Sequence, residues 1–240
     1  MKQTARIAWV GAALLAMAGF AALGIWQVER LGWKRELMAR VERQMQAEPQ
    51  PLPTSSSWTT PARSEEYRRL RLTGHFEPKE VLVQASTELG GGHWVLAPLR
   101  TADGGVVLVN RGFVPPEHQA QAAHEAAPQT SIELVGLLRL SEPHGGLLRA
   151  NVPEQGRWYS RDVAAIAAHL GLAGPVAPFF VDEVADPAKP QRWPRPGLTV
   201  LRFNNNHAVY AATWFALAAM VAAAAGYLVL DGRRRRRDAA

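Results

Sequence analysis

The chain has 240 residues, no cysteine, and 27 Lys and Arg against 21 Asp and Glu, a net charge of +6. The length allows one sizeable folded domain with additions, and the lack of cysteine excludes disulfides, thiol catalysis and thiolate metal sites. The charge does not signal nucleic acid, because it sits at the ends: residues 1–6 carry +2 and residues 231–240 carry +3, leaving +1 for residues 7–230.

Two uncharged runs dominate the pattern. Ile7 to Val28 is 22 residues long and Ala208 to Leu230 is 23. About 20 apolar residues cross the hydrocarbon core of a bilayer, so both runs are predicted membrane helices. Each carries aromatics suited to the lipid–water boundary: Trp9 and Trp26 on the first, Tyr210, Trp214 and Tyr227 on the second. The first run exceeds the roughly 7–15 apolar residues of a signal-peptide core. It also continues into the charged, helix-favouring Glu29 to Gln46, so it reads as an uncleaved anchor.

Ala47 to Ser64 is rich in Pro, Ser and Thr and reads as a linker or extended lead-in. Strand patterns follow. YRRLRLTGHF alternates Leu70 and Leu72 with Arg69 and Arg71. EVLVQAS is a second short strand. HWVLAPLR and GVVLVNRGFV flank Asp103-Gly104, a strong hairpin signal. SIELVGLLRL, PFFVDEVAD and LTVLRFN complete the strands. The triplet Gly90 to Gly92 lacks a following Lys-Ser/Thr and reads as a turn. Gln119 to Gln129 reads as a mobile or helical insertion. RWYSRDVAAIAAHLG is the one clear soluble helix, with Ser160 or Asp162 to cap it and Gly171 to end it.

The predicted fold class is therefore a membrane α+β protein. Two transmembrane helices flank a mainly antiparallel β domain, an open sheet or small barrel, with one soluble helix. The segments are 1–6 as an N-terminus, 7–28 as a helix, 29–64 as helix extension and linker, 65–206 as the β-rich domain, 207–230 as a helix and 231–240 as a basic tail. The Arg233 to Arg237 run abuts a span and places both termini in the cytoplasm, with the central domain on the outer side.

Enzyme motifs are absent: there is no G-x-S-x-G, HExxH, Walker loop or GxGxxG. His75, His93, His118, His124, His144 and His169 show no metal-ligand spacing. Arg111, in VNRGFVP, follows a predicted strand. It reads either as a solvated strand end or as a guanidinium for an anionic ligand or partner. Within RWYSRD, Trp158 and Tyr159 read as core and Arg161 with Asp162 as a cap.

The boundary of the second span is more informative. His207, Tyr210 and Trp214 recur at i, i+3 and i+7, and Trp26, Arg30 and Trp33 at i, i+4 and i+7, with Gln27 beside them. One crossing each brings the end of the first span and the start of the second to the same surface. An aromatic belt explains the Trp and Tyr. It does not explain Gln27 and His207, since polar groups at that depth need partners. A neutral imidazole with nearby arginines, Arg30 or Arg202, suits haem or another amphiphilic ligand.

Six blocks in order, LGIWQVERLGWK, YRRLRLTGHF, HWVLAPLR, DGGVVLVNRGFVP, RWYSRD and NNNHAVYAATWF, resemble the surfeit locus protein 1 (Shy-type) family of cytochrome c oxidase assembly factors almost end to end. The resemblance implies a multi-pass protein of the bacterial inner membrane with a periplasmic domain. It implies a role in maturing haem–copper oxidase, with haem a as the cofactor handled. The oxidase subunit that receives haem a, the haem a synthesis machinery and the lipid bilayer are the partners it implies. The family's N-x-H-x-x-Y-x-x-T-W block falls on His207, Tyr210, Thr213 and Trp214. His207 is thus the expected iron ligand, with Tyr210, Trp214, Gln27, Arg30 and Arg111 as expected haem contacts. Ala208 and Val209 stand where the family commonly has Leu-Gln. Three classes compete: a haem-holding assembly factor, a structural chaperone that never touches haem, and a periplasmic enzyme on a membrane hairpin. The first two are not enzymes.

Overall fold

The computed structural model describes residues 3–119, 131–146, 149–188, 192–198 and 205–237. In chain order its elements are helix α1 (Gln3–Gln46), strands β1 (Gln50–Pro51), β2 (Arg69–Phe76), β3 (Val81–Thr87), β4 (Gly90–Thr101), β5 (Val106–Val114) and β6 (Ile132–Leu140), helix α2 (Val163–His169), strand β7 (Val176–Glu183) and helix α3 (His207–Arg237). They divide into two compact units, one built on Met1–Arg40 with Arg202–Ala240 and the other on Val41–Leu201.

The first unit is the helix pair α1 and α3. Nothing in α1 interrupts it before Ala47, where Pro49 bars the preceding residue from helical geometry. Both helices are long and apolar enough to cross a membrane, and their most apolar stretches are only 6% and 0% buried. A core helix of a soluble protein is mostly covered, whereas these two leave their apolar stretches exposed. The helices pack antiparallel: Phe20 stacks on Trp214 with ring centroids 5.7 Å apart, and Gly24 lies under Phe215. A Cβ at Gly24 would stand 2.6 Å from that ring, so glycine permits this close approach.

The second unit is a small barrel. Its seven strands run in the order β1-β2-β6-β7-β5-β4-β3, and β2 also pairs with β4, closing a ring of β2, β6, β7, β5 and β4. Closure occurs at Gly74↔Thr101, His75↔Arg100 and Phe76↔Leu99. A side chain at Gly74 would put its Cβ 2.3 Å from the Arg100 carbonyl oxygen, so the ring closes only over glycine. Every strand of the ring sends residues inward. Leu70, Leu72, Phe76, Leu99, Val109 and Phe179 are among the buried interior. The opposite faces of β4, β5 and β7 carry Leu96, Leu108 and Phe180, which α2 covers with Val163 and Ile166.

Most predicted strands form within a few residues of their expected places, and α2 is capped by Asp162, whose carboxylate accepts from the Ala165 N–H at 3.1 Å. Pairing is mainly antiparallel, but β5 and β7 run parallel. Two expectations need correction. Gly90 to Gly92 are strand residues, paired with Thr87, Ser86 and Ala85. The turn is the Glu88-Leu89 pair before them. The reason is packing: a Cβ at Gly92 would meet the Phe113 ring at 2.6 Å and the Val114 oxygen at 2.4 Å. The Pro/Ser/Thr-rich lead-in is not loose either. Trp58 packs edge-on against Phe179, and the Ser55 N–H donates to Asp103 at 2.6 Å. That bond and the Thr101 hydroxyl hold the Asp103 carboxyl well below the usual carboxylate range. Residues 120–130 of the Ala/Gln-rich segment and residues 199–204 of the last predicted strand lie outside the described residues.

Candidate functional site

In the helix pair, His207 opens α3 directly after Asn205 and Asn206. Its Nδ1 lies 2.6 Å from Oε1 of Gln27 on α1. Gln27 is buried, 9% exposed, one turn after Gly24. A carbonyl oxygen only accepts, so Nδ1 is the donor of this contact. Among the described residues Nε2 has no hydrogen-bond partner. The ring is thus held from one side by an acceptor on the facing helix.

The helix faces differ from the expected ones in one respect. The buried residues of α3 are Ala211 and Ala218. The contact stripe is therefore His207, Ala211, Trp214 and Ala218, at i, i+4, i+7 and i+11, with Trp214 against Phe20. Tyr210 flanks this stripe and is 54% exposed. On α1, Trp26 and Trp33 are also exposed, and the Arg30 guanidinium stacks over Trp33 at 4.0 Å. Seven side chains were expected at this surface. The structure joins Gln27 to His207 and seats Trp214 on the same seam, while Tyr210, Trp26, Arg30 and Trp33 line the outside. Arg202 lies outside the described residues.

The helix pair also carries an apolar groove of about 430 Å³ lined by residues such as Val10, Met17, Val221 and Gly226. It carries no polar group to orient a ligand. The end marked by His207 is the chemically equipped one.

In the barrel unit, Arg111 lies within β5 and does not follow it, and it is only 6% exposed. A solvated strand end is therefore ruled out. The guanidinium sits 5.1 Å over the Phe76 ring. Nearby Glu80 has its pKa raised by burial, against the opposing pull of the Arg111 charge.

A polar cluster that sequence reading missed sits on the outward face of the same sheet. Asp182, 2% exposed, accepts from Arg139 at 2.6 Å and from the Asn110 amide at 2.8 Å, with Arg161 at 3.5 Å. Glu66 pairs with Arg139 at 3.2 Å and Glu142 with Arg161 at 2.5 Å. Both guanidiniums also lie over Phe180. Three carboxylates thus share two guanidiniums, and the cluster cross-links β5, β6, β7 and the segment before α2. The signal was present in the sequence as single charges inside apolar runs, FFVDE and LLRL. Arg161, expected as part of a helix cap, works here instead, and Asp162 does the capping.

Among the described residues no three His, Asp or Glu side chains converge as a metal site. His118 stacks on Trp193 at 4.8 Å, and His124 lies outside the described residues.

The family model described as SURF1 family matches residues 14–219. The chain belongs to the SURF1 family. This is the family that the six sequence blocks resemble. Among its curated relatives, Surfeit locus protein 1 of Rattus norvegicus is 33% identical over 217 residues, covering 82% of this chain and 68% of the relative. The SURF1-like protein of Monosiga brevicollis is 34% identical over 228 residues, covering 89% and 84%. Surfeit locus protein 1 of Homo sapiens is 32% identical over 218 residues, covering 82% and 69%. The family match includes Gln27 and His207, so both residues of the polar contact fall in the shared region.

Proposed function

We propose that this protein is an assembly factor for haem–copper cytochrome c oxidase that holds haem a while the receiving subunit is built. Membership of the SURF1 family supports the oxidase role. The observation that carries haem binding is the Gln27–His207 contact, which leaves Nε2 available. A neutral imidazole with one nitrogen donating and the other free is what an axial iron bond needs. When bound, haem a supplies the iron. His207 would hold the group through its second ring nitrogen, and exposed Tyr210 and Trp26 would offer flat apolar surface at the same level. Arg30, exposed on α1, is the guanidinium we assign to anionic groups of the haem or of a partner.

We assign the helix pair to a bacterial inner membrane. Trp9 and Trp26 are seventeen residues apart on α1, as are Tyr210 and Tyr227 on α3. At 1.5 Å per residue each pair stands about 26 Å apart. The antiparallel contacts Gln27–His207 and Phe20–Trp214 set Trp26 near the level of Tyr210, and Trp9 near that of Tyr227. Two aromatic belts at that spacing suit a hydrocarbon core of about 30 Å. The Arg233 to Arg237 run favours the cytoplasm for both ends and the periplasm for the barrel. The protein acts by binding and not by catalysis, with the receiving oxidase subunit and the haem a synthesis machinery as its partners.

The test is a host that makes haem a and lacks its own copy of this protein. Complementation is expected to restore the haem a content of the oxidase, and the purified protein is expected to carry haem a. Restored oxidase with a protein that never carries haem supports the haem-free chaperone instead. Oxidase unaffected by the protein's absence contradicts both.

A further inference from the structure

We infer that Gln27 is a positioning residue: it touches no haem itself and fixes which nitrogen of His207 meets the iron. The inference rests on the axial role proposed for His207.

Three observations carry it. First, the 2.6 Å contact is to Nδ1, and the acceptor is an amide oxygen. With that oxygen as acceptor, Nδ1 is the donor of the contact, and Nε2 is the nitrogen left for another partner. Second, Gln27 is 9% exposed, among apolar neighbours on two helices with almost no buried apolar surface elsewhere. A polar amide placed there is costly unless it is hydrogen-bonded, so the contact is strongly favoured over solvation. Third, the register that delivers the amide is set independently. Gly24 admits Phe215, and Phe20 stacks on Trp214, one and two turns further along α1. The neighbouring polar side chains, Glu29 and Arg30, are both exposed, Arg30 over the Trp33 ring. Gln27 is thus the polar group of this turn directed at α3.

An imidazole without that acceptor samples both tautomers and several ring orientations. Either nitrogen of a neutral imidazole can ligate, and the acceptor on the other selects which one is presented. Oriented acceptors of this kind typically contribute 10–100-fold to metal affinity and raise the basicity of the ligating nitrogen. A carboxylate in place of the amide draws the Nδ1 proton more strongly and donates more electron density to iron.

The test uses the full-length protein in detergent, titrated with haem a, with binding read from the absorption spectrum and the reduction potential of the bound haem measured. Gln27→Leu keeps the size and packing of the side chain and is expected to weaken binding about 10–100-fold. Gln27→Glu is expected to retain binding and to lower the potential. If Gln27→Leu fails to insert, the Gln27→Glu potential decides. Wild-type affinity in Gln27→Leu, or an unchanged potential in Gln27→Glu, overturns the positioning role. His207→Ala separates the two claims. If it abolishes the haem spectrum while both Gln27 variants behave as wild type, His207 ligates and Gln27 only packs. If it changes nothing, axial ligation by His207 fails first.

Discussion

Gln27 and His207, 180 positions apart in sequence, meet at 2.6 Å across the helix pair. The contact needs the two helices in one register, and that register depends on small residues. Gly24 lets Phe215 lie on α1, and Ala211 and Ala218 are buried against it.

Gly24→Leu should therefore misalign the seam. The added side chain meets the Phe215 ring from its first carbon, and overpacking of this kind costs about 1–3 kcal/mol. Haem binding is expected to fall although no haem contact is changed. A compensating Phe215→Ala should restore part of it. Absorption titration of the single and double variants checks this, and a Gly24→Leu protein with normal binding contradicts it.

Arg111→Ala is expected to lower the protein's abundance, because the side chain is buried in β5 and covers the Phe76 ring. Loss of that packing should cost about 1–3 kcal/mol. Immunoblotting of membranes, alongside the haem a content of the oxidase, separates the two roles. Normal abundance with poor oxidase maturation would show that Arg111 serves contact with a ligand or partner.

The barrel should weaken in acid through Glu142. Burial alone raises its pKa, but the Arg161 hydrogen bond and charge outweigh burial, and the folded value lies below the ordinary 4.5. A depressed carboxylate contributes stability above its unfolded pKa and loses it as pH falls through the folded one. The urea midpoint of the wild type should drop as pH falls below 4.5, and Glu142→Gln should show a shallower drop. Equal slopes contradict the assignment.

Topology has its own check. Protease added to intact spheroplasts should cut residues 31–206 and spare the Arg233 to Arg237 tail. Protection of the barrel overturns the orientation.

Much of this molecule was legible in the sequence for simple reasons. Uncharged runs of 22 and 23 residues predict long apolar helices, which form, and the Leu70/Arg69 type of alternation marks a half-buried strand. What escaped was whatever depends on a distant neighbour. Gly90 to Gly92 look like a turn until Phe113 and Val114 are seen to need the space over Gly92. Barrel closure at Gly74 depends on the Arg100 carbonyl, and Asp182 acquires Arg139 and Arg161 only when β6, β7 and the segment before α2 assemble. At the helix pair the residue types were readable and the face was not. Tyr210 and Ala211 are adjacent, and the fit of α1 decides which of them turns inward.

The central claim is that the nitrogen of His207 binds haem iron. It is tested most directly by the absorption spectrum of protein purified from cells that make haem a, for wild type and His207→Ala, with membrane insertion confirmed for both. The account predicts a haem a spectrum in the wild type and its loss or strong shift in His207→Ala, with partial retention and altered potential in His207→Met. A His207→Ala protein that binds haem a with unchanged spectrum and affinity contradicts the account.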